Sequence, residues 1–319
     1  RRGTRQPIIA LMAVFAVIFF SLFFVTNNFW PILLVTILFS SCWGAMQPLG
    51  ESLTMLSAKE NGFEYGRVRL WGSLAFIATA IIAGRVLSDT TPDAIMVMIF
   101  ASVVLMFAVT LFLPNMRTSK ATGSSFPIAP LLCNKAFLLV LIAAALIQSS
   151  HAVYYGFGTI HWQKVGISDT VIGVLWAEGV IAEVILFSMG AAVLRCTGPM
   201  QLIILGGAAG ILRWLGTGLD DSLPALFILQ ALHGLTFGAT HLGVIHFISD
   251  KVPEELSATA LSLYSVVVMG LAMGLMVMAS GQLYGALGGQ AYFVVAVMAA
   301  IGGLLAFIVR QSNIQIISK

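Results

Sequence analysis

Apolar runs of roughly 20 residues recur from one end of this 319-residue chain to the other, separated by short polar stretches. At about 1.5 Å of rise per residue, such a run crosses a ~30 Å hydrocarbon layer as a helix. The pattern predicts ten spans, at residues 7–26, 30–56, 67–88, 94–113, 136–163, 170–194, 199–218, 223–249, 255–287 and 291–310. Helix is the element that satisfies its own backbone polar groups inside lipid, so the predicted class is an all-α membrane protein. The spans at 30–56, 136–163, 223–249 and 255–287 are longer than a bilayer requires, which predicts tilt or projection into water.

Charge then fixes orientation. Only 9% of residues are charged, against about 25% in soluble domains. All Lys and Arg except Arg85, Lys164 and Arg213 fall before the first span, in alternate connections or after the last span, whereas the intervening loops carry Asn27, Asn28, Asp89, Asp93, Asp169, Asp220 and Asp221. That bias places both termini on the cytoplasmic side of the membrane. It also accounts for the net charge of +3 without a nucleic-acid partner. The polar segment from Pro114 to Pro130 reads as a cytoplasmic linker, dividing the chain into a four-span bundle (1–114), a central loop (115–135) and a six-span bundle (136–319). Four spans before the linker and six after it predict a twelve-helix architecture from which the first two helices are missing. Cys42, Cys133 and Cys196 have neither metal-site nor disulfide spacing.

Candidate chemistry lies in ionisable residues within the spans, each costing about 2.5–3.5 kcal/mol unless it has a partner or a purpose. Arg213 in the seventh span cannot discharge, so a carboxylate from the sixth span, Glu178 or Glu183, is the expected partner. Those two lie five residues apart, about 140° around a helix, so both cannot face one cavity squarely. His233 in the eighth span and either carboxylate can exchange a proton near neutral pH. The spacing of His233, His241 and His246 does not favour a metal site, and His241 and His246 read as helix-interface histidines. In the fifth span His151, Tyr154, Tyr155 and Gly158 form one stripe, suited either to a ring-shaped ligand or to helix packing. The Met and Gly residues of the ninth span (Met269, Gly270, Met273, Gly274, Gly281) read as a helix-packing face. At the start of the third span, 63–73 (FEYGRVRLWGS), Arg69 and Phe76 share a face, and Glu51 on the preceding helix is within reach of Arg69.

These residues resemble the major facilitator superfamily, and within it the lactose-permease-like proton symporters, over essentially the whole chain. The segment 63–73 is similar to the start of that family's fifth helix. Glu51 falls where the family has a sugar-binding carboxylate, Arg69 its paired arginine and Phe76 its stacking tryptophan. Arg213 and His233 keep the family's spacing of twenty, and Glu178 is the nearer match to its eighth-helix carboxylate. The stretches 151–163 (HAVYYGFGTIHWQ), 175–187 (LWAEGVIAEVILF) and 212–214 (LRW) resemble the phenylpropionate permease branch more closely. Two positions depart: Thr236 stands where the lactose permeases have a proton-carrying carboxylate, and Met269 where they have a lysine.

The resemblance implies a secondary transporter that takes up a small aromatic carboxylic acid with a proton by alternating access. Substrate contacts are expected from Glu51, Arg69, Phe76, His151, Tyr155 and Arg213, and proton coupling from Glu178, Glu183, His233 and Arg213. No cofactor, metal or nucleic acid is expected; the partners are the substrate, protons and lipid, and the working unit is a monomer. A sugar or nucleoside symporter is the alternative within the fold. A membrane enzyme or sensor would need a catalytic constellation or an appended soluble domain, and the sequence offers neither.

Overall fold

The structure, a computed structural model, describes residues 6–62, 65–88, 90–91, 93–114 and 128–312. Residues 115–127 of the central loop lie outside the described residues, as do the side chains of Glu51, Arg67 and Arg69. Before the loop come α1 (Gln6–Ser21), α2 (Phe29–Asn61), α3 (Tyr65–Ser88) and α4 (Asp93–Thr110). After it come α5 (Ala129–Leu132), α6 (Lys135–Ser149), α7 (Ala152–Lys164), α8 (Asp169–Ser188), α9 (Gly190–Thr197), α10 (Pro199–Leu219) and α11 (Leu223–Ala231). The last four are α12 (Thr240–Lys251), α13 (Glu254–Leu263), α14 (Met273–Leu287) and α15 (Ala291–Gln311). Two π-helical stretches, Gly234–Ala239 and Tyr264–Ala272, join α11 to α12 and α13 to α14. Among the described residues there is no strand.

Among the described residues, nine helical stretches are long and apolar enough to cross a membrane. The last of them, Thr259–Gln311, is 53 residues long, and as one helix it would measure about 80 Å. It breaks at the turn Gly288–Gln290, where Gly288 takes a φ of +55°, a conformation suited to glycine. The break separates α14 from the 21-residue α15, so this stretch supplies both the ninth and tenth spans read from hydropathy. The fifth span is also interrupted, at Ser150 and His151 between α6 and α7.

The chain forms two compact units, one of residues 1–72 and 89–124, the other of Ser73–Ser88 and Ser125–Lys319. In the first, α1 packs on α2 and α4 through fully buried Ala13 and Ala16, with Met46, Leu53 and Val103 closing the core. The second holds every helix from α5 onward together with the latter part of α3. Sequence reading groups residues 67–88 with the first four spans; in the structure their second half packs on α8. The reason is a glycine crossing: a Cβ on Gly84 would sit 2.5 Å from the Asp169 carbonyl oxygen, and one on Gly173 would sit 2.5 Å from that of Ala80. The Ser88 and Thr170 hydroxyls add a 2.9 Å hydrogen bond beside it.

Without water to drive apolar side chains together, membrane helices hold through close packing and polar bonds, which favours small residues at their interfaces. The α10–α15 crossing follows that rule. A Cβ on Gly207 would lie 2.6 Å from the Gly303 Cα and 3.0 Å from the Ala299 carbonyl oxygen. Large apolar side chains turn outward instead: Leu212 is 65% exposed while the adjacent Arg213 is 0% exposed. Between α10 and α11, the Asp220 carboxylate accepts the Ser222 backbone N–H at 2.8 Å, which holds its carboxyl below the usual range and tightens the turn.

A side chain at Gly207 has only backbone to meet. Gly207→Val is expected to destabilise the protein by about 1–3 kcal/mol, seen as a lower thermal midpoint in detergent. Gly44→Ala, where an added Cβ meets nothing within 4 Å, is expected to leave the midpoint unchanged or slightly raised. Equal midpoints for Gly207→Val and the unaltered protein would contradict the packing described.

Candidate functional site

The most demanding group in the second unit is Arg213, whose side chain has no exposed surface. Its Nη1 donates to His233 Nδ1 at 2.9 Å and to Thr236 Oγ1 at 3.1 Å, and its Nη2 donates to Gln230 Oε1 at 2.7 Å. The guanidinium carbon lies 4.6 Å from the centre of the Tyr154 ring and 4.5 Å from that of Trp214. Its Nε has no hydrogen-bond partner among the described residues. The carboxylate partner expected from the sequence is therefore absent: neither Glu178 nor Glu183 pairs with Arg213. Neutral acceptors and π faces stabilise the cation instead, each bond to a charged group being worth about 1.5–3 kcal/mol and each ring about 0.5–2 kcal/mol. The site's positive charge is thus solvated but not cancelled.

Gln230, His233 and Thr236 stand three residues apart, and the π-helical stretch begins immediately after His233. π-Helical turns are frequent at functional sites because they shift the side-chain register locally. Here Gly234 abuts the Ala182 carbonyl of α8, where a Cβ would come within 2.6 Å. Gln230 is completed from the far side, its amide donating to the Tyr154 hydroxyl at 2.9 Å and to the Leu175 carbonyl at 3.0 Å. His151 is fully buried, with Nδ1 on the Gln148 carbonyl at 3.0 Å and Nε2 on Thr236 Oγ1 at 3.0 Å. Because a carbonyl only accepts, Nδ1 carries the hydrogen. Trp214 is anchored by its indole N–H on Ser150 Oγ at 2.9 Å, at the break between α6 and α7.

Only one side of this network is open. Arg213 donates to His233 Nδ1, so the hydrogen of a neutral His233 sits on Nε2, and that nitrogen lies 4.0 Å from Glu183 Oε2. The Glu183 side chain is 21% exposed and that of His233 7%. Gly179 lets the His233 ring lie against the α8 backbone, since a Cβ there would be 3.4 Å from His233 Cδ2. Of the two carboxylates singled out in the sequence, Glu183 is therefore the one beside the Arg–His pair. Glu178 lies on another face of α8, with Oε2 buried and without a hydrogen-bond partner among the described residues. Tyr155, 40% exposed, lies beside the network with its ring centre 6.4 Å from that of His233.

The remaining candidates scatter. Phe76 is 48% exposed on α3; the side chains of Glu51 and Arg69 lie outside the described residues. His241 pairs with the Tyr264 hydroxyl at 3.0 Å across a helix interface. Sequence reasoning passed over Gln230 and Trp176, although the spacing of Gln230 from His233 and Thr236 was a usable signal. It also passed over His161, whose Nε2 meets Asp221 Oδ1 at 2.9 Å and whose Nδ1 meets the Tyr284 hydroxyl at 3.0 Å.

Membrane-length helices around a buried polar network describe a multi-pass membrane protein, and the comparisons place it in a family of transporters rather than enzymes. The chain belongs to the MFS_1 like family, whose model matches residues 1–295, and its fold is that of the major facilitator superfamily. It is similar to the probable 3-phenylpropionic acid transporter of Escherichia coli (strain K12), 31% identical over 84% of this chain and 71% of that protein. It is also similar to the maltose permease of Geobacillus stearothermophilus, 28% identical over 84% of this chain and 69% of that protein. The crystal structure of the nucleoside transporter NupG matches its fold with a TM-score of 0.80 at 15% identity, covering 96% of this chain and 82% of that one.

Gln230 accepts from Arg213 Nη2 and donates to the Tyr154 hydroxyl and the Leu175 carbonyl, so its loss leaves the guanidinium short of an acceptor. Gln230→Leu is expected to lower stability by on the order of 3 kcal/mol, measured as a thermal midpoint shift in detergent. A shift below a third of that would mean that Arg213 finds another acceptor.

Proposed function

We propose that this protein is a proton-coupled symporter that takes up a small aromatic carboxylic acid by alternating access. Residues 1–114 and 136–319 act as two bundles joined by the loop 115–135, and they rock about a substrate bound near the bilayer midplane. Both termini lie on the cytoplasmic side of the inner membrane. The reading is carried by one observation: a fully buried, uncancelled guanidinium touches His233, which in turn faces a partly exposed carboxylate, Glu183.

Coupling follows from electrostatics. An ionised Glu183 beside a substrate carboxylate about 5 Å away opposes binding by about 3 kcal/mol at an effective dielectric of 20, a factor above one hundred. Once Glu183 takes a proton, the surviving charge is that of Arg213, transmitted through His233, and it favours the acid. Substrate and proton therefore load together and leave together. A neutral sugar has no charge to repel, so this arrangement gives no comparable reason for it to require the proton. Arg213 acts here through His233 rather than by direct contact, and His151 holds Thr236 in place. Tyr155 contacts the substrate ring, while Glu51, Arg69 and Phe76 supply the contacts from the first bundle. Glu178 serves as a second, more enclosed protonatable group. Support for the substrate class comes from the similarity to the probable 3-phenylpropionic acid transporter; the fold shared with the nucleoside transporter makes a nucleoside the second substrate to test.

The test is proton movement in vesicles containing the protein, with no imposed gradient. Added 3-phenylpropionate is expected to make the outside alkaline, after subtraction of passive entry measured in protein-free vesicles. Its amide, lactose and a nucleoside are expected to give nothing. A signal from the sugar or the nucleoside alone would overturn the substrate class. Glu183→Gln mimics the protonated state permanently, so it is expected to bind the acid with an affinity independent of pH. In the unaltered protein, affinity weakens as pH rises and Glu183 ionises. Intact proton movement in both Glu183→Gln and His233→Ala would overturn the coupling assignment.

A further inference from the structure

Beside the Arg–His–Glu network lies a ring that the charge chemistry does not use, that of Trp176. Trp176 occupies the same face of α8 as Gly179 and Glu183, at i, i+3 and i+7. Its indole N–H donates to Thr159 Oγ1 of α7 at 3.0 Å, and its ring packs 4.4 Å from Tyr154 and edge-on to Trp162 at 6.1 Å. These contacts fix its orientation. On its open side stands Tyr155, tilted 19° from Trp176 with ring centres 6.2 Å apart. Tyr155 in turn lies near-parallel to His151, at 26° and 5.7 Å. Three roughly parallel rings therefore run toward His233, and the middle one, Tyr155, is 40% exposed. Along α8 about 10 Å separates Trp176 from Glu183, room for one ring and a short acid chain between them.

We infer that Trp176, positioned by Thr159, forms with Tyr155 the surface on which the ring of the substrate lies, and that Trp176 sets the preference for an aromatic over a saturated ring. The inference rests on the aromatic-acid function proposed above and deepens it by naming what reads the ring. Polarisable faces favour an aromatic partner in offset or edge geometry beyond what area alone provides. An aliphatic ring of similar size gains only the burial. Thr159 touches neither substrate nor proton; it is a positioning residue that keeps the indole from rotating away.

Selectivity is the readout, because a merely structural role would lower uptake without changing it. Uptake of labelled 3-phenylpropionate is competed with unlabelled 3-phenylpropionate and with 3-cyclohexylpropionate, which keeps the acid and saturates the ring. The unaltered protein is expected to prefer the aromatic acid. Trp176→Ala is expected to cut that preference about three- to tenfold, while Trp176→Phe restores most of it. Thr159→Val, which keeps the shape and removes the hydrogen bond, is expected to fall between. If Trp176→Ala fails to reach the membrane, Trp176→Leu, which keeps bulk without a π face, and Thr159→Val still decide the matter, since an unaltered preference in both overturns the inference. Equal competition by the two acids in the unaltered protein would sink the ring surface and leave acid transport standing. Failure of the unaltered protein to take up either acid would remove the function on which the inference rests.

Discussion

A guanidinium buried among helices, with no carboxylate paired to it among the described residues, is the constraint on which the second unit turns. Arg213 cannot shed its proton to escape burial, so the surroundings must solvate it. Gln230 and His233 take its hydrogen bonds, Thr236 shares one, and Tyr154 and Trp214 present their faces. Each of these is itself held: Gln230 by Tyr154 and Leu175, Trp214 by Ser150, Thr236 by His151. The polar residues of five helical segments are thereby committed to one charge. A network satisfied at both Nη atoms favours one arrangement of the helices, because shifting them would leave further buried groups without partners.

Much of this was legible in the sequence, and the omissions have physical causes. Hydropathy located the spans because lipid leaves so few alternatives, and it marked Arg213, His233 and the two glutamates because charges inside spans are conspicuous. The pairing was not legible. A scan that counts charges seeks a carboxylate for Arg213, whereas a cation is equally served by neutral oxygen and nitrogen lone pairs, and Gln230 carries no charge to draw notice. Choosing Glu183 over Glu178 required the angle of α8 against the π-helical stretch, and no spacing rule supplies that. The stripe through His151, Tyr154 and Tyr155 was correctly periodic. Yet the break at Ser150 turns His151 into the bundle and leaves only Tyr155 of the three half open. The association of the latter part of α3 with α8 rests on Gly84 and Gly173, two residues whose informative property is an absent side chain.

The first unit is plainer. Small residues of α1 let α2 and α4 approach, and Phe20 meets Phe39 and Phe100 at ring-centre distances of 5.3 and 6.2 Å. Nothing among its described side chains resembles the Arg213 network. Among the described side chains, the polar network is concentrated after the central loop, on α7, α8, α10 and the stretch from α11 to α12.

The distinction between a solvated and a cancelled charge bears directly on the proposed coupling. Had Glu183 formed a bidentate pair with Arg213, the two would have satisfied one another, and protonating the glutamate would have meant breaking a buried ion pair at a cost of several kcal/mol. Such a pair suits a structural clamp. Instead His233 stands between them, 2.9 Å from Arg213 and 4.0 Å from Glu183. The glutamate is near enough for its charge to be felt through the imidazole and remote enough for that charge to change without unravelling the core. Solvating Arg213 with neutral partners leaves Glu183 outside a direct ion pair with the arginine. A site built in this way can let an arriving anion and a proton set the terms for one another.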